Sequence, residues 1–595
     1  MNYFLLLLLT LGLYSFCNKI HYYFYKTNEN IIVNTFIFSS FFALIYLINS
    51  YLLLFNINSK YFSYFFILFS AIVCIFQRRE ILNYVNIIKS YFVKKNKLFL
   101  LLLFFYFLTI LLPAADEDSL RYHLEIGKKI NDGSFYLNTW LDYTALGAHE
   151  FINSFALHFK FENISSYTNF VYLSFAIISN IYILKKYKQG SGILSGLILL
   201  SCPYLIALIS SQKFYFFPCY IVSYSIAYLY LEKKIDTLIL YLILTLNIFC
   251  FIIKPIFLPY LILVSLWIFI KKKNYYDKIL YLIFFSTVSV LFYFPIFLIK
   301  FNIYNDPFLP LISINNENTE WLSIYNYYLT NWNMDFTDSI NNLYVKYLLI
   351  PFKLVFPLQP ADLFKTLGLG LLFLFSINYK KNKYLLGLII FFIFSVIILN
   401  NFQSRWFLPL LIFVAIFANL NRFNFLKKIT YLQLIGVFCI LIPMGLATFA
   451  SNLGLLNKKF LFNKTFQAHK MIEYINENYE DEKVFSTLNY FYYFDNVVPV
   501  YYPYITTKIE PDYYRKNEET TKLILWKDEK DYIDKIISKE TNENFEAQMG
   551  LNRFVDENFQ CKKIKKIKDF EFGAGRNFLN HKKNKTKFSL FRMVC

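Results

Sequence analysis

The chain has 595 residues, 57% of them apolar and only 17% charged, with a mean hydropathy of +0.40. A water-soluble chain of this length would divide into several domains and need far more charge to cover them, so composition argues against a soluble multidomain protein. The formal net charge of +20 comes from 60 Lys and Arg against 40 Asp and Glu; much of the basic excess sits in short connections between apolar runs, which points to membrane orientation rather than to nucleic acid.

The first apolar run, Tyr3–Phe16, lacks a preceding basic region and a small-residue cleavage site, and reads as a membrane helix rather than a signal peptide. Further runs lie at 31–55, 61–76, 97–113, 165–184, 191–210, 214–231, 235–253, 255–270, 279–299, 362–378, 384–400, 406–420 and 430–450, fourteen in all. Several are shorter than the ~20 residues that cross a bilayer, and the adjoining runs 235–253 and 255–270 have the form of a hairpin. The fold class expected is an α-helical polytopic membrane protein of about fourteen transmembrane helices with a small polar C-terminal domain.

Orientation follows from alternate connections. Gln77–Lys97 is strongly basic, as are the connections holding Lys185, Lys186 and Lys188; Lys233 and Lys234; Lys271, Lys272, Lys273 and Lys278; Lys380, Lys381 and Lys383; and Arg422, Lys427 and Lys428. The short connections between them hold one basic residue each: Lys60, Lys213, Lys254 and Arg405. With fourteen crossings every basic connection falls on the cytoplasmic side. Segments 114–164, 300–361 and 451–595 are then expected outside.

In the tail, Phe466–Tyr479 and Leu523–Ile537 have helical spacing, while Val484–Leu488 and Val497–Tyr502 read as strands, which together describe a small α/β domain. Six cysteines lie in or beside apolar runs; Cys561 and Cys595 lie in the tail and pair only if it faces an oxidising compartment. The basic run Lys562–Lys568 reads either as a solvated face or as a contact for anionic headgroups.

The chemistry-bearing stretch follows the fourth run, where Asp116, Glu117 and Asp118 are consecutive just before Arg121-Tyr122-His123. Carboxylates crowded at a low-dielectric boundary repel one another, which raises a pKa and provides a general base. The same residues also read as an N-terminal cap, with Asp118 or Ser119 beginning a helix over Leu120–Ile130. Lone basic groups beside apolar runs, at Arg405, Lys254 and Lys213, are candidates to bind an anion, or else reach to headgroups. Glu150 beside His149 is a second acidic point.

An acidic cluster on the first large outer segment, followed by Asp118-x-x-x-Tyr122-His123, resembles the GT-C superfamily of membrane glycosyltransferases, among them protein O-mannosyltransferases and bacterial aminoarabinose transferases acting on lipid A. Asn305-Asp-Pro-Phe-Leu-Pro310 is similar to the Asn-Pro-x-x-Pro turn of bacterial members, with Asp306 inserted. Ser404-Arg405-Trp406-Phe407-Leu408-Pro409 resembles their Ser-Arg-Tyr-x-x-Pro signature, and Gly147-Ala-His-Glu150 their second acidic point. The likeness covers residues 97–595: a transmembrane core over 97–450 with outer loops 114–164 and 300–361, and an extracytoplasmic α/β domain over 451–595. Residues 1–96 are additional N-terminal helices.

The resemblance implies an inverting enzyme of the bacterial inner membrane that moves a sugar from a polyprenyl-phosphate donor to a lipid, glycan or protein acceptor. Asp118 matches the family's general base by its spacing to Tyr122, with Asp116 and Glu117 as neighbours or as the base itself. Arg405, Lys254 and Lys213 would hold the leaving phosphate; Glu150, His123 and Tyr122 would contact donor or acceptor. Asp116-x-Asp118 has the form of a divalent-metal pair, Mg or Mn, but without a third ligand it specifies no metal. An O-antigen-type polymerase or ligase, a transporter and a non-catalytic scaffold are the alternatives.

Overall fold

The computed structural model describes residues 3–25, 30–82, 97–114, 119–131, 146–188, 192–272, 274–308, 343–357, 360–379, 383–398, 403–418, 424–457, 468–480, 482–486, 491–493, 497–499, 521–527, 563–573 and 585–594. They belong to two compact units, one within Met1–Leu112 and Ile126–Phe449, the other within Pro113–Glu125 and Ala450–Cys595.

The first unit is helical. Four helices among the described residues are long and apolar enough to cross a membrane: Ile31–Leu54, Ile164–Tyr187, Tyr275–Asn302 and Phe425–Asn452. At 1.5 Å per residue the 24 residues of Ile31–Leu54 extend about 36 Å, enough for a hydrocarbon core of about 30 Å. Seven shorter apolar helices accompany them, among them Lys60–Phe76, Phe216–Leu231 and Thr237–Ile253. Helices apolar on every side suit a bilayer, where lipid and helix neighbours accept the same side chains. Asn30 starts Ile31–Leu54 by accepting from the N–H groups of Ile32 and Val33, and Asp236 caps Thr237–Ile253 through Leu238 N–H at 2.8 Å.

Several apolar runs depart from a single α-helix, each for a local reason. The run 191–210 is two helices, Gly192–Leu200 and Pro203–Ile209, because Pro203 disfavours helical backbone at Cys202. The run 362–378 is 3-10 structure, Pro360–Lys365 and Leu369–Ser376, interrupted at Gly368 with φ +81°. There Gln433 accepts from Leu369 N–H at 2.6 Å and donates to the Ser201 carbonyl at 2.5 Å, so side-chain bonds replace part of the helical ladder. Leu343–Val355 and Ala148–Leu157 are helices that the hydropathy pattern did not announce.

Residues before 97 share the core of this unit. Ile31–Leu54 packs on Ala148–Leu157 and on Thr237–Ile253, and Tyr3–Tyr25 packs on Lys60–Phe76. Polar side chains fix helix pairs that apolar contact alone would not discriminate. Tyr172 Oη lies 2.6 Å from Ser39 Oγ, Tyr224 donates to Asn180 Oδ1 at 2.6 Å, and Gln212 Nε2 donates to Asn163 Oδ1 at 2.8 Å.

The second unit holds a five-stranded sheet of β1 (Lys483–Ser486), β2 (Val497–Pro499), β3 (Thr521–Lys527), β4 (Lys563–Gly573) and β5 (Lys585–Val594), in the order β2-β1-β3-β5-β4. β1 runs parallel to β2 and β3; β5 lies antiparallel between β3 and β4, with Leu525 opposite Leu590. The helix His469–Asn478 presents Met471, Ile472 and Ile475 to Val484, Leu523, Leu525, Phe588 and Leu590. Ala114, Leu120 and Leu124 complete this core. The helix expected from Leu523 is instead strand β3 over its described part. Leu523, Ile524 and Leu525 are all buried, as in a strand covered on both faces, and so short an apolar run carries no decisive period. The described lysines of the Lys562–Lys568 run stand on β4, where Lys565, Lys566 and Lys568 are exposed at the sheet edge and discourage pairing with another chain.

Gly12 is where Tyr3–Tyr25 meets Lys60–Phe76: a Cβ there would lie 2.8 Å from Cys74 Cα. Gly12→Val should therefore destabilise the first unit by about 1–3 kcal/mol, read as a lower thermal midpoint in detergent.

Candidate functional site

Asp116, Glu117 and Asp118 lie outside the described residues, as do Cys561 and Cys595. Their flanks are placed. Ala114 and Leu120 are both buried in the core of the second unit, and Tyr493 Oη donates to the Ala114 carbonyl at 3.1 Å. The expected helix over Leu120–Ile130 begins instead as a π-helical turn, Ser119–His123, and becomes α-helical over Leu124–Asn131. Such turns carry an extra residue per turn and recur at functional positions. Tyr122 belongs to this turn, and His123 ends it with its side chain fully buried.

In the first unit Glu150 is built into the start of the helix Ala148–Leu157. Gly147 N–H donates to Glu150 Oε2 at 2.8 Å, half of a capping box. Gly147 is required for a second reason: a Cβ there would meet the carbonyl oxygens of Ile253 and Ile252 at 2.6 and 2.7 Å. The backbone thus presses against the C-terminal end of Thr237–Ile253, whose C-cap is Lys254. Glu150, fully buried, and half-buried Lys254 consequently interact electrostatically.

His149 is stacked on Phe214 with ring centroids 5.4 Å apart. Its Nε2 lies 3.1 Å from Asn153 Nδ2 and 2.8 Å from Ser165 Oγ, which itself donates to Asn153 Oδ1. Its Nδ1 faces Glu150 Oε1 at 3.7 Å. Burial, then the charge of Lys254, hold the imidazole well below its ordinary pKa, so this contact is dipolar rather than an ion pair. Burial raises the pKa of Glu150, while Lys254, the Gly147 N–H and Lys300 oppose that rise.

Lys300 and Asp306 complete this cluster and were missed as site residues. Both are buried, at 5% and 0% exposure, and Lys300 interacts with Glu150, Lys254 and Asp306. Lys300 lies near the end of the helix Tyr275–Tyr304, which Asn305 closes in the left-handed conformation at φ 50°. Asp306 then accepts from Phe308 N–H at 3.4 Å. The sequence signal was available: a lone lysine closing an apolar run, followed by an acid inserted in a turn motif.

Arg405 and Lys213 form the other half. The Arg405 guanidinium lies over the rings of Tyr215 and Trp406, 5.2 and 5.0 Å from their centroids. Ser404 Oγ donates to the Lys365 carbonyl and anchors that turn. Tyr204 feels both Arg405 and Lys213, and Asn169 Nδ2 donates to the Lys213 carbonyl at 2.7 Å. The halves adjoin in two places. Phe214 stacks on His149 while its neighbour Tyr215 carries Arg405; Phe257, three residues after Lys254, packs on Trp406 at 6.3 Å.

The structure therefore gathers Glu150, Lys254, Lys213 and Arg405 from four separate connections into one neighbourhood. Aromatic rings, a guanidinium and two ammonium groups can hold an anion beside an apolar surface. Comparison with protein-family models, with characterised proteins and with solved structures found no match.

Since the folded ring of His149 binds fewer protons than the unfolded one, its contribution to stability is full above the unfolded pKa and is lost as pH falls. Glu150, with a raised pKa, contributes in the opposite sense, losing stability as pH rises through its titration. Between pH ~7 and ~5, His149→Gln should therefore lose less thermal stability than wild type, measured as the pH slope of the unfolding midpoint.

Proposed function

We propose that the protein is a GT-C-like membrane glycosyltransferase that moves a sugar from a polyprenyl-phosphate donor to an extracytoplasmic lipid, glycan or protein acceptor. The observation that carries this reading is the convergence of Arg405, Lys213 and Lys254 on one aromatic neighbourhood at the ends of apolar helices. A phosphate leaving from a lipid-linked sugar accumulates negative charge, which these cations would stabilise, while the apolar helix surfaces would accept the prenyl chain. In this reading the chain crosses a bacterial inner membrane fourteen times with residues 451–595 outside.

One of Asp116, Glu117 and Asp118 would take the proton of the acceptor hydroxyl as its oxygen attacks the anomeric carbon. The carbon–oxygen bond to phosphate would break with inversion, and the electron pair would leave on the phosphate. No covalent sugar–enzyme intermediate is needed.

In membrane vesicles given a panel of labelled polyprenyl-phosphate sugars and an envelope extract, one donor should be consumed. Arg405→Gln should reduce that transfer by about a hundredfold, and Asp116→Asn/Asp118→Asn should reduce it more. Transfer in the double variant above about a tenth of wild type would remove the acid cluster from the mechanism. No transfer from any donor by folded protein would favour a polymerase or transporter.

A further inference from the structure

We propose that a cavity of the first unit, between the N-terminal helices and Ile164–Tyr187, holds one acyl chain of an acidic phospholipid whose headgroup Lys60 engages. The inference requires the chain to sit in a bilayer and is independent of the transferase reading.

The cavity has a volume of about 80 Å³ and is walled by Tyr3–Tyr25, Ile31–Leu54, Lys60–Phe76, Ala148–Leu157 and Ile164–Tyr187. Three of the five walls precede residue 97. Only four of the lining side chains carry a polar atom, and each atom is already satisfied by the protein. The hydroxyls of Thr10 and Tyr167 lie 2.7 Å apart, and each also donates to the Leu6 carbonyl in one arrangement of their protons. Ser70 donates to the Phe66 carbonyl at 2.8 Å, and Thr168 to the Ile164 carbonyl at 2.8 Å. Such a cavity has no bond to offer water and stays dry, whereas a hydrocarbon gains dispersion contacts in it. Its volume is about half of the ~150 Å³ that admits a benzene ring, which suits a narrow unbranched chain better than a methyl-branched prenyl chain.

Two of the walls turn polar at one level, and that level forms a mouth. Ser59, the N-cap of Lys60–Phe76, has its Oγ 2.9 Å from Nε2 of His158, the C-cap of Ala148–Leu157. From this pair both helices lead into the cavity. Phe155 lies one turn back from His158, Phe66 lies about 9 Å along its helix from Lys60, and the two rings meet with centroids 5.6 Å apart. Ile67, seven residues after Lys60 and therefore on the same helix face, also lines the cavity and is partly exposed. Lys60 itself is exposed, its ammonium 5.9 Å from the centroid of the Tyr64 ring. A cation thus stands at the mouth, with an apolar slot beginning about 9 Å further along the same helix and reaching Ser70 at about 15 Å. That sequence of charge and then hydrocarbon is the pattern of a glycerophospholipid, a phosphate followed by a methylene chain.

The full chain is stripped of lipid in detergent and then offered phosphatidylglycerol, phosphatidylcholine or undecaprenyl phosphate, with bound lipid read by native mass spectrometry. The thermal midpoint of each lipid-free variant is the folding control. Wild type should hold one phosphatidylglycerol about fivefold more tightly than phosphatidylcholine. Lys60→Gln should abolish that preference while leaving phosphatidylcholine binding unchanged. Ser70→Leu, which fills the cavity and replaces a hydroxyl bonded within its own helix, should weaken both phospholipids about tenfold without lowering the midpoint. Thr168→Leu should do the same from the opposite wall, and decides the matter if Ser70→Leu does not fold.

Phosphatidylglycerol held as well by folded cavity-filled variants as by wild type overturns the proposal. So does a Lys60→Gln variant that loses phosphatidylcholine as strongly as phosphatidylglycerol, since the lysine would then be acting through packing rather than charge. Undecaprenyl phosphate bound more tightly than phosphatidylglycerol, and expelled by the same filling substitutions, assigns the cavity to a prenyl chain and also overturns it.

Discussion

A carboxylate buried among apolar helices persists only if something nearby makes its charge tolerable, and Glu150 is the group around which the first unit arranges that compensation. Each isolated buried ion costs on the order of several kcal/mol, so placing it fixes what must surround it. Gly147 contributes an N–H, and its missing side chain lets the backbone reach the end of Thr237–Ile253, which delivers Lys254. His149 is kept neutral and turned toward the carboxylate by Asn153 and Ser165. Lys300 and Asp306 arrive from a third stretch. The neighbourhood of Arg405 then inherits its position, since Phe214 and Phe257 tie it to the same groups.

What could be read from the chain divides along a physical line. Apolar runs announce helices because burial in lipid or core needs little more than composition, and so Ile31–Leu54 and Ile164–Tyr187 are visible without a structure. Interruptions inside those runs are harder to read. Gly368 and Gln433 replace a helix by 3-10 turns through a side-chain bond between residues far apart in sequence, and no local pattern contains that information. Likewise β3 and a short helix share the same apolar residues, and only the pairing with β1 and β5 decides between them. The lone cations at Lys213, Lys254 and Arg405 were legible because a charge beside an apolar run is conspicuous. Lys300 was as conspicuous, but its importance depends on Glu150, which lies a quarter of the chain away.

The distribution of charge sorts two kinds of polar work. Buried hydroxyl and amide groups, such as Tyr172 with Ser39 and Gln212 with Asn163, join helices through neutral bonds that need no counter-ion. Among the described residues, the buried ionisable groups Glu150, Lys300 and Asp306 lie where helices begin or end. The separation follows from dielectric cost: a neutral hydrogen bond is satisfied by one partner, whereas a charge requires a compensated surrounding. It also explains why the candidate site is aromatic, since rings stabilise a guanidinium without adding an acid that would repel an anionic ligand.

The second unit is assembled from distant parts of the chain, and this bears on the order in which the protein matures. Ala114, Leu120 and Leu124 are synthesised early, yet the core that covers them includes Phe588 and Leu590 of β5, made after the other four described strands. Since β5 sits between β3 and β4, neither neighbour has its full complement of backbone partners until that strand arrives. At ribosomal speeds of about 5–20 residues per second, the apolar side chains of the early segment wait on the order of half a minute or more for their cover. Throughout that interval the apolar side chains of Ala114, Leu120 and Leu124 lack the cover that β5 later supplies.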